Sequence, residues 1–72
     1  MTPLDARLTD REEEAADLLA DGLTDKEIAD RLRISLSMAS KHVASVLGKL
    51  GAGNRTEAAV RWDRTRREGA AK

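Results

Sequence analysis

Twice in its first half the chain repeats one local pattern: a threonine, an aspartate, a basic residue and a glutamate, closely followed by an apolar helical stripe. The two copies are Thr9-Asp10-Arg11-Glu12 and Thr24-Asp25-Lys26-Glu27. In such a capping box the threonine hydroxyl accepts from the glutamate amide while the glutamate carboxylate reaches back to the threonine amide. The aspartate and glutamate also sit at the positive end of the helix dipole. A helix must therefore begin at each copy. Asn54-Arg55-Thr56-Glu57 carries a third cap-plus-glutamate pattern, and Ser35 is a good cap for another start between them. Asn54-Arg55-Thr56 also fits a glycosylation acceptor, but in a cytosolic chain it reads as a cap. Four helix starts in 72 residues leave no room for a sheet. Phe and Tyr are absent and Trp62 is the lone aromatic, so strand-favouring residues are scarce as well. These features predict an all-α, four-helix bundle with helices near 9–21, 25–32, 36–50 and 55–66. One domain spans 8–66, between a flexible segment at 1–7 and a flexible tail at 67–72.

The apolar spacing predicts which faces are buried. Ala15, Leu18 and Leu19 form the stripe of the first helix, which stops at Gly22, where the missing Cβ permits a left-handed conformation. Leu23 and Ile28 bracket the second start as a hydrophobic staple, and Ile28, Ala29 and Leu32 face inward. Arg33-Ile34-Ser35 is too short for anything but a tight turn. In the third helix Ala39, Val43, Val46, Leu47 and Leu50 recur along one stripe. The opposite face carries Ser37, Ser40, Lys41, Ala44 and Ser45, with Lys49 following. That face is small, polar and basic, and it lacks any acidic side chain in a chain with thirteen of them. The fourth helix places Ala58, Ala59 and Trp62 on one face.

A short helix, a tight turn and a longer helix with a polar outer face form a helix-turn-helix. A carboxylate on that face would repel phosphates, and bulky side chains would keep the helix out of a groove. The expected partner is therefore double-stranded DNA, with the third helix in the major groove and the second crossing the backbone. Lys26 and the amides after Thr24, together with Ser35 and Ser37, are the expected phosphate contacts. Ser40, Lys41, Ala44 and Ser45 are placed to meet base edges. The charge distribution points the same way although the net charge is zero. Residues 1–32 hold four basic and ten acidic side chains, whereas residues 33–72 hold nine basic and three acidic, an electric dipole that would orient the chain on a polyanion.

Other chemistry has no foothold. The chain has no cysteine, no Gly-rich phosphate loop, no cluster of metal ligands and no apolar run of membrane-spanning length. No enzyme activity, cofactor, metal or membrane partner is expected, and a cytoplasmic location follows. His42, a lone histidine, reads as structural or phosphate-proximal rather than as a metal ligand. Arg61, Arg64, Arg66 and Arg67 read either as a solvated helix end or as phosphate contacts.

The stretch Leu8 to Ala58 resembles the DNA-binding domain of the LuxR (NarL/FixJ, GerE) family. The likeness rests on Leu8-Thr9-x-Arg11-Glu12-x-Glu14, Leu18-Leu19-Ala20-x-Gly22-Leu23, Lys26-Glu27-Ile28-Ala29-x-x-Leu32, Ile34-Ser35, His42-Val43, Leu47-x-Lys49-Leu50-Gly51 and Asn54-Arg55-Thr56-Glu57-Ala58. It implies a transcription regulator of the response-regulator type, whose third helix enters the groove and whose fourth helix forms a homodimer contact. Arg55, Ala58, Ala59 and Trp62 are the candidate dimer residues; Trp62 reads equally as packing within its own bundle. The chain departs from the family where Thr-Val-Lys is usual and Met38-Ala39-Ser40 stands instead, and where Ala15-Ala16 replaces a usual Val-Leu pair. Members usually carry a receiver or ligand-binding domain ahead of this one. The seven residues before Leu8 hold none, so the chain reads as a stand-alone regulator or as an excised domain. A competing reading is a protein-interaction module whose acidic first half docks RNA polymerase or another regulator.

Overall fold

A computed structural model describes residues 7–70 and contains four helices in the order α1 (Asp10–Ala20), α2 (Asp25–Leu32), α3 (Leu36–Leu50) and α4 (Arg55–Ala70). Among the described residues there is no strand, as the four starts require. Both threonine capping boxes form. Thr9 Oγ1 accepts from the Glu12 amide at 3.1 Å while Glu12 Oε1 accepts from the Thr9 amide at 2.9 Å. Thr24 and Glu27 make the same reciprocal pair at 3.2 and 2.8 Å. Ser35 Oγ caps α3 by accepting from the Met38 amide. The fourth start differs: Asn54 accepts from the Glu57 amide, but the Glu57 carboxylate reaches one residue further back, to the Gly53 amide.

α1 packs against the other three helices, and α3 packs against both α2 and α4. The core is Ala15, Ala16 and Leu19 of α1, Ile28 and Ala29 of α2, Ala39, Val43 and Val46 of α3, and Ala58 of α4. Leu18, Leu32, Leu47, Leu50 and Trp62 lie half-buried around it. Small residues dominate this centre; Ile28 and Val46 are the largest side chains enclosed completely. Ala15 and Ala16, in place of a bulkier pair, are wholly buried.

Two helix ends differ from the expected bounds. α1 stops at Ala20, with the Asp21 amide closing the last turn onto Asp17 and Leu18 and Gly22 turning the chain at φ 93°. α4 runs to Ala70, so residues 67–70 of the expected tail are helical. Ion pairs along the helix account for the extension: Asp63 meets Arg66 and Arg67, and Arg66 is also fastened to α1. The expected flexible segment at 1–7 falls outside the described residues except for Arg7, whose carbonyl accepts from Lys49 Nζ at 3.2 Å. Residues 71 and 72 also fall outside them.

The α2–α3 turn closes without a glycine. The Ile34 amide donates back to Ala29 O at 3.0 Å, which forces Arg33 into the left-handed region at φ 60°, ψ 46°. A non-glycine residue there costs about 1 kcal/mol. The outcome is a three-residue link that fixes α3 against α2.

Candidate nucleic-acid interface

The outer surface of α3 is set by its own periodicity. With Ala39, Val43 and Val46 buried, Ser37, Lys41, Ala44 and Gly48 fall on the opposite side at spacings of four, three and four, and all four are exposed. Ser40 is exposed beside them. Gly48, four residues after Ala44, extends the stripe beyond the residues expected on it from the sequence. A Cβ built on Gly48 would meet nothing within 4 Å, so no packing demands a glycine in the helix. Leu36 and Met38, at 53% and 43% exposure, add apolar surface at the N-terminal end of α3.

Lys41 and Lys26 are exposed, and among the described residues neither has a carboxylate partner. The cap hydroxyls of Thr24 and Ser35 are also exposed. Each accepts from an amide, so its own proton stays free to donate. Lys26, Thr24, Ser35, Ser37, Ser40, Lys41 and Ala44 thus stand at solvent, near the α2 N-terminus and along α3. His42 is half-buried.

Ser45 and Lys49 are placed differently from the expected outer face. Ser45 Oγ donates to Glu12 Oε2 at 2.5 Å, and Lys49 Nζ lies 2.7 Å from Glu12 Oε1. Both therefore turn toward the start of α1. Burial pushes the Glu12 carboxyl upward, but hydrogen bonds from Lys49, Ser45 and the Thr9 amide outweigh it and hold the group at about 2. The same carboxylate that caps α1 also fastens α3. No local pattern could show this, because its partners lie 33 and 37 residues away.

A second acidic group is shared among three elements. Asp25, at the first turn of α2, takes Arg55 Nη1 on Oδ1 at 2.6 Å and the Ser40 hydroxyl on Oδ2 at 3.0 Å. Arg55 Nη2 continues to Leu23 O at 2.9 Å. The Arg55 guanidinium, with help from Ser40, holds the Asp25 carboxyl below the usual carboxylate range. Arg55, a candidate dimer residue, is in this way committed within its own chain.

Two other candidate dimer residues are also drawn inward. Ala58 is wholly buried, which corrects its placement at a surface: the α4 stripe starts under α1. Trp62 is half-buried against the core and donates through Nε1 to Asp17 Oδ1 at 2.7 Å. Ala59 lines a shallow groove between α1 and α4 with Leu19, Leu23 and Val60, the last at 55% exposure.

The fold also revises the dipole read from composition. Lys49, Arg55 and Arg66 of the basic half are each paired with acids of the first half, Arg66 with Asp17 and Asp21. Part of the charge separation is cancelled inside the molecule. Among the described residues no group of His, Cys, Asp or Glu side chains is arranged to hold a metal ion, and no helix is long and apolar enough to cross a membrane.

Residues 6–62 match the family described as bacterial regulatory proteins, luxR family. The chain is 45% identical over 53 residues to the DNA-binding transcriptional activator DevR/DosR of Mycobacterium tuberculosis, covering 74% of this chain and 24% of that protein. It is 43% identical over 53 residues to the transcriptional regulatory protein LiaR of Bacillus subtilis, covering 74% and 25% respectively. The spore germination protein GerE of Bacillus subtilis is 42% identical over 53 residues, covering 74% of this chain and 72% of that shorter protein. The chain thus spans about a quarter of the length of DevR/DosR and LiaR. With the capping boxes, the glycine-free turn and the four-helix order in place, the match over most of its length means that the chain belongs to the LuxR family of bacterial regulatory proteins.

Proposed function

We propose that the chain binds double-stranded DNA in bacterial transcription regulation, with α3 in the major groove and the N-terminus of α2 against the phosphate backbone. The observation that carries this reading is the outer face of α3. Ser37, Ser40, Lys41, Ala44 and Gly48 are exposed there and none is acidic, while the two carboxylates that α3 does touch, Glu12 and Asp25, are each held by a cation. The surface is narrow, free of repulsion toward phosphate, and carries one lysine able to reach a base or a phosphate. Lys26 and the free hydroxyl protons of Thr24, Ser35 and Ser37 supply phosphate contacts that set the register. Lys41, Ser40 and Ala44 meet base edges. Ser45, Lys49 and Arg55 act behind this surface, holding α3 and α2 in place.

A single domain this small makes few phosphate contacts, so the working form is a homodimer on two half-sites about one helical turn apart. The α4 residues Ala59, half-buried in the groove, and Val60, exposed beside it, are the self-contact. Membership of the response-regulator class, cytoplasmic action and contact with RNA polymerase belong to the same proposal.

The test is a backbone amide NMR titration with a short duplex of random sequence at low salt. Shifts at Lys26 and from Ser35 to Gly48, reversed by added salt, are expected. A silent α3 at excess duplex overturns the reading and leaves a protein-interaction module, for which the exposed acids Asp10 and Glu13 of α1 are the surface to probe.

A further inference from the structure

Ser40 has only one way to use its proton. Its Oγ lies 3.0 Å from Asp25 Oδ2, and an ionised carboxylate has no proton to give, so the serine is the donor. Asp25 is not free to turn away. Its other oxygen is held 2.6 Å from Arg55 Nη1, and that guanidinium is itself fixed by Leu23 O. The Arg55 cation both anchors the carboxylate and offsets its charge, so an acid can sit beside a phosphate-facing surface without repelling it. Ser40 meanwhile is exposed on the acid-free side of α3. What its oxygen still offers to an incoming partner is a lone pair.

A serine hydroxyl ordinarily meets any base, because it can turn to donate or to accept. In the major groove adenine and cytosine present an exocyclic amine, whereas guanine and thymine present a carbonyl oxygen at the corresponding place. We infer that Ser40 is a specificity-determining residue: fixed as an acceptor by Asp25 and Arg55, it selects adenine or cytosine over guanine or thymine at the base it meets. This inference rests on the groove-reading role proposed above. Asp25 and Arg55 are positioning residues that touch no base themselves; they set the direction of the hydrogen bond.

The experiment is selection of bound duplexes from a pool with a randomised centre, using the full chain, followed by sequencing. Binding to single-position variants of the selected duplex is then measured by fluorescence anisotropy. Wild type is expected to show one position at which adenine or cytosine is preferred by about fivefold or more, the lower end of what a good base contact contributes. In Ser40→Ala the same footprint is kept and that position alone becomes indifferent. In Asp25→Asn the side-chain amide donates to Ser40, freeing the hydroxyl proton, so guanine and thymine are gained at that position. Circular dichroism is read first for Asp25→Asn, since it weakens the Arg55 anchor. If that variant fails to fold, the comparison of wild type with Ser40→Ala decides alone. The inference is overturned if Ser40→Ala leaves every preference unchanged, or if the position it affects favours guanine or thymine in wild type. Failure of wild type to bind the pool at all removes the DNA-binding reading and this inference together. Binding with preferences insensitive to Ser40 removes only the inference.

Discussion

The seam joining α1 to α3 and α4 and the outer face of α3 use charge in opposite ways. Along the seam, cations and carboxylates far apart in sequence meet: Lys49 with Glu12, and Arg66 with Asp17 and Asp21. On the outer face, Lys41 stands among small residues, with no such partner among the described residues. The first region uses its charges to define how helices sit; the second leaves its charge available. Basic residues that look alike in composition therefore divide into those that hold the domain together and those that can face a polyanion. Perturbing the seam should change stability with little effect on intrinsic affinity, and perturbing the outer face should do the reverse.

The largest expected effect is on the seam. Glu12→Gln removes the charge of the buried carboxylate shared by Lys49, Ser45 and the Thr9 amide and replaces one of its two acceptor oxygens with a donor NH2. Because the folded group sits at about 2 against a reference of 4.5, it is depressed. Its stabilisation is therefore full above pH 4.5 and is lost as pH falls through the folded value. A depression of this size corresponds to about 3 kcal/mol, reduced to about 2 kcal/mol because water lies close to any site in so small a domain. Urea unfolding at neutral pH should show that loss for Glu12→Gln. Between pH 4.5 and 2 the wild type should lose stability more steeply than the variant. If both fall in parallel, Glu12 does not hold the seam.

Next comes the outer face. Lys41→Glu should weaken duplex binding about tenfold or more at low salt, with a shallower salt dependence, while the unfolding midpoint stays within error. Equal loss of stability and binding would erase the distinction between the two regions. Gly48→Ala sharpens it. A helix-interior glycine with open space around its Cβ should gain about 1 kcal/mol on substitution, seen as a higher thermal midpoint. If duplex binding falls in the same variant, the glycine is there for the close approach of a partner.

The smallest expected effect belongs to Arg66→Ala. Its partners Asp17 and Asp21 are at 51% and 56% side-chain exposure, so despite three ion pairs the loss should stay under about 1 kcal/mol. Added salt should shrink it further. The helical circular-dichroism signal should fall slightly as the end of α4 frays.

How much of this was legible depends on the range over which each signal acts. Thr9, Thr24 and Ser35 cap helices through partners three residues away, and all three starts stand where the sequence places them. The buried stripe of α3 follows from spacing alone. The far end of α4 was legible only in part: the pairs of Asp63 with Arg66 and Arg67 are local, whereas those of Arg66 with Asp21 and Asp17 reach back 45 and 49 residues and leave no local mark. A helical wheel puts Ser45 and Lys49 on the outer face because it separates inside from outside but cannot say where a flanking helix begins. Arg33 gave no warning of its left-handed backbone, since arginine has no preference for it. Gly48 was legible in principle, but it looks like a gap in a helix rather than part of a surface.

The centre of the domain is built largely from alanines, with Ile28 and Val46 as its largest fully enclosed side chains. So little enclosed apolar volume leaves a modest reserve against unfolding, and any ligand that recognises only the folded state adds to that reserve by mass action. Degradation of a marginal domain tracks the population of its opened form. The cellular lifetime of this chain should accordingly rise with its occupancy, with copies engaged on a target outlasting those adrift.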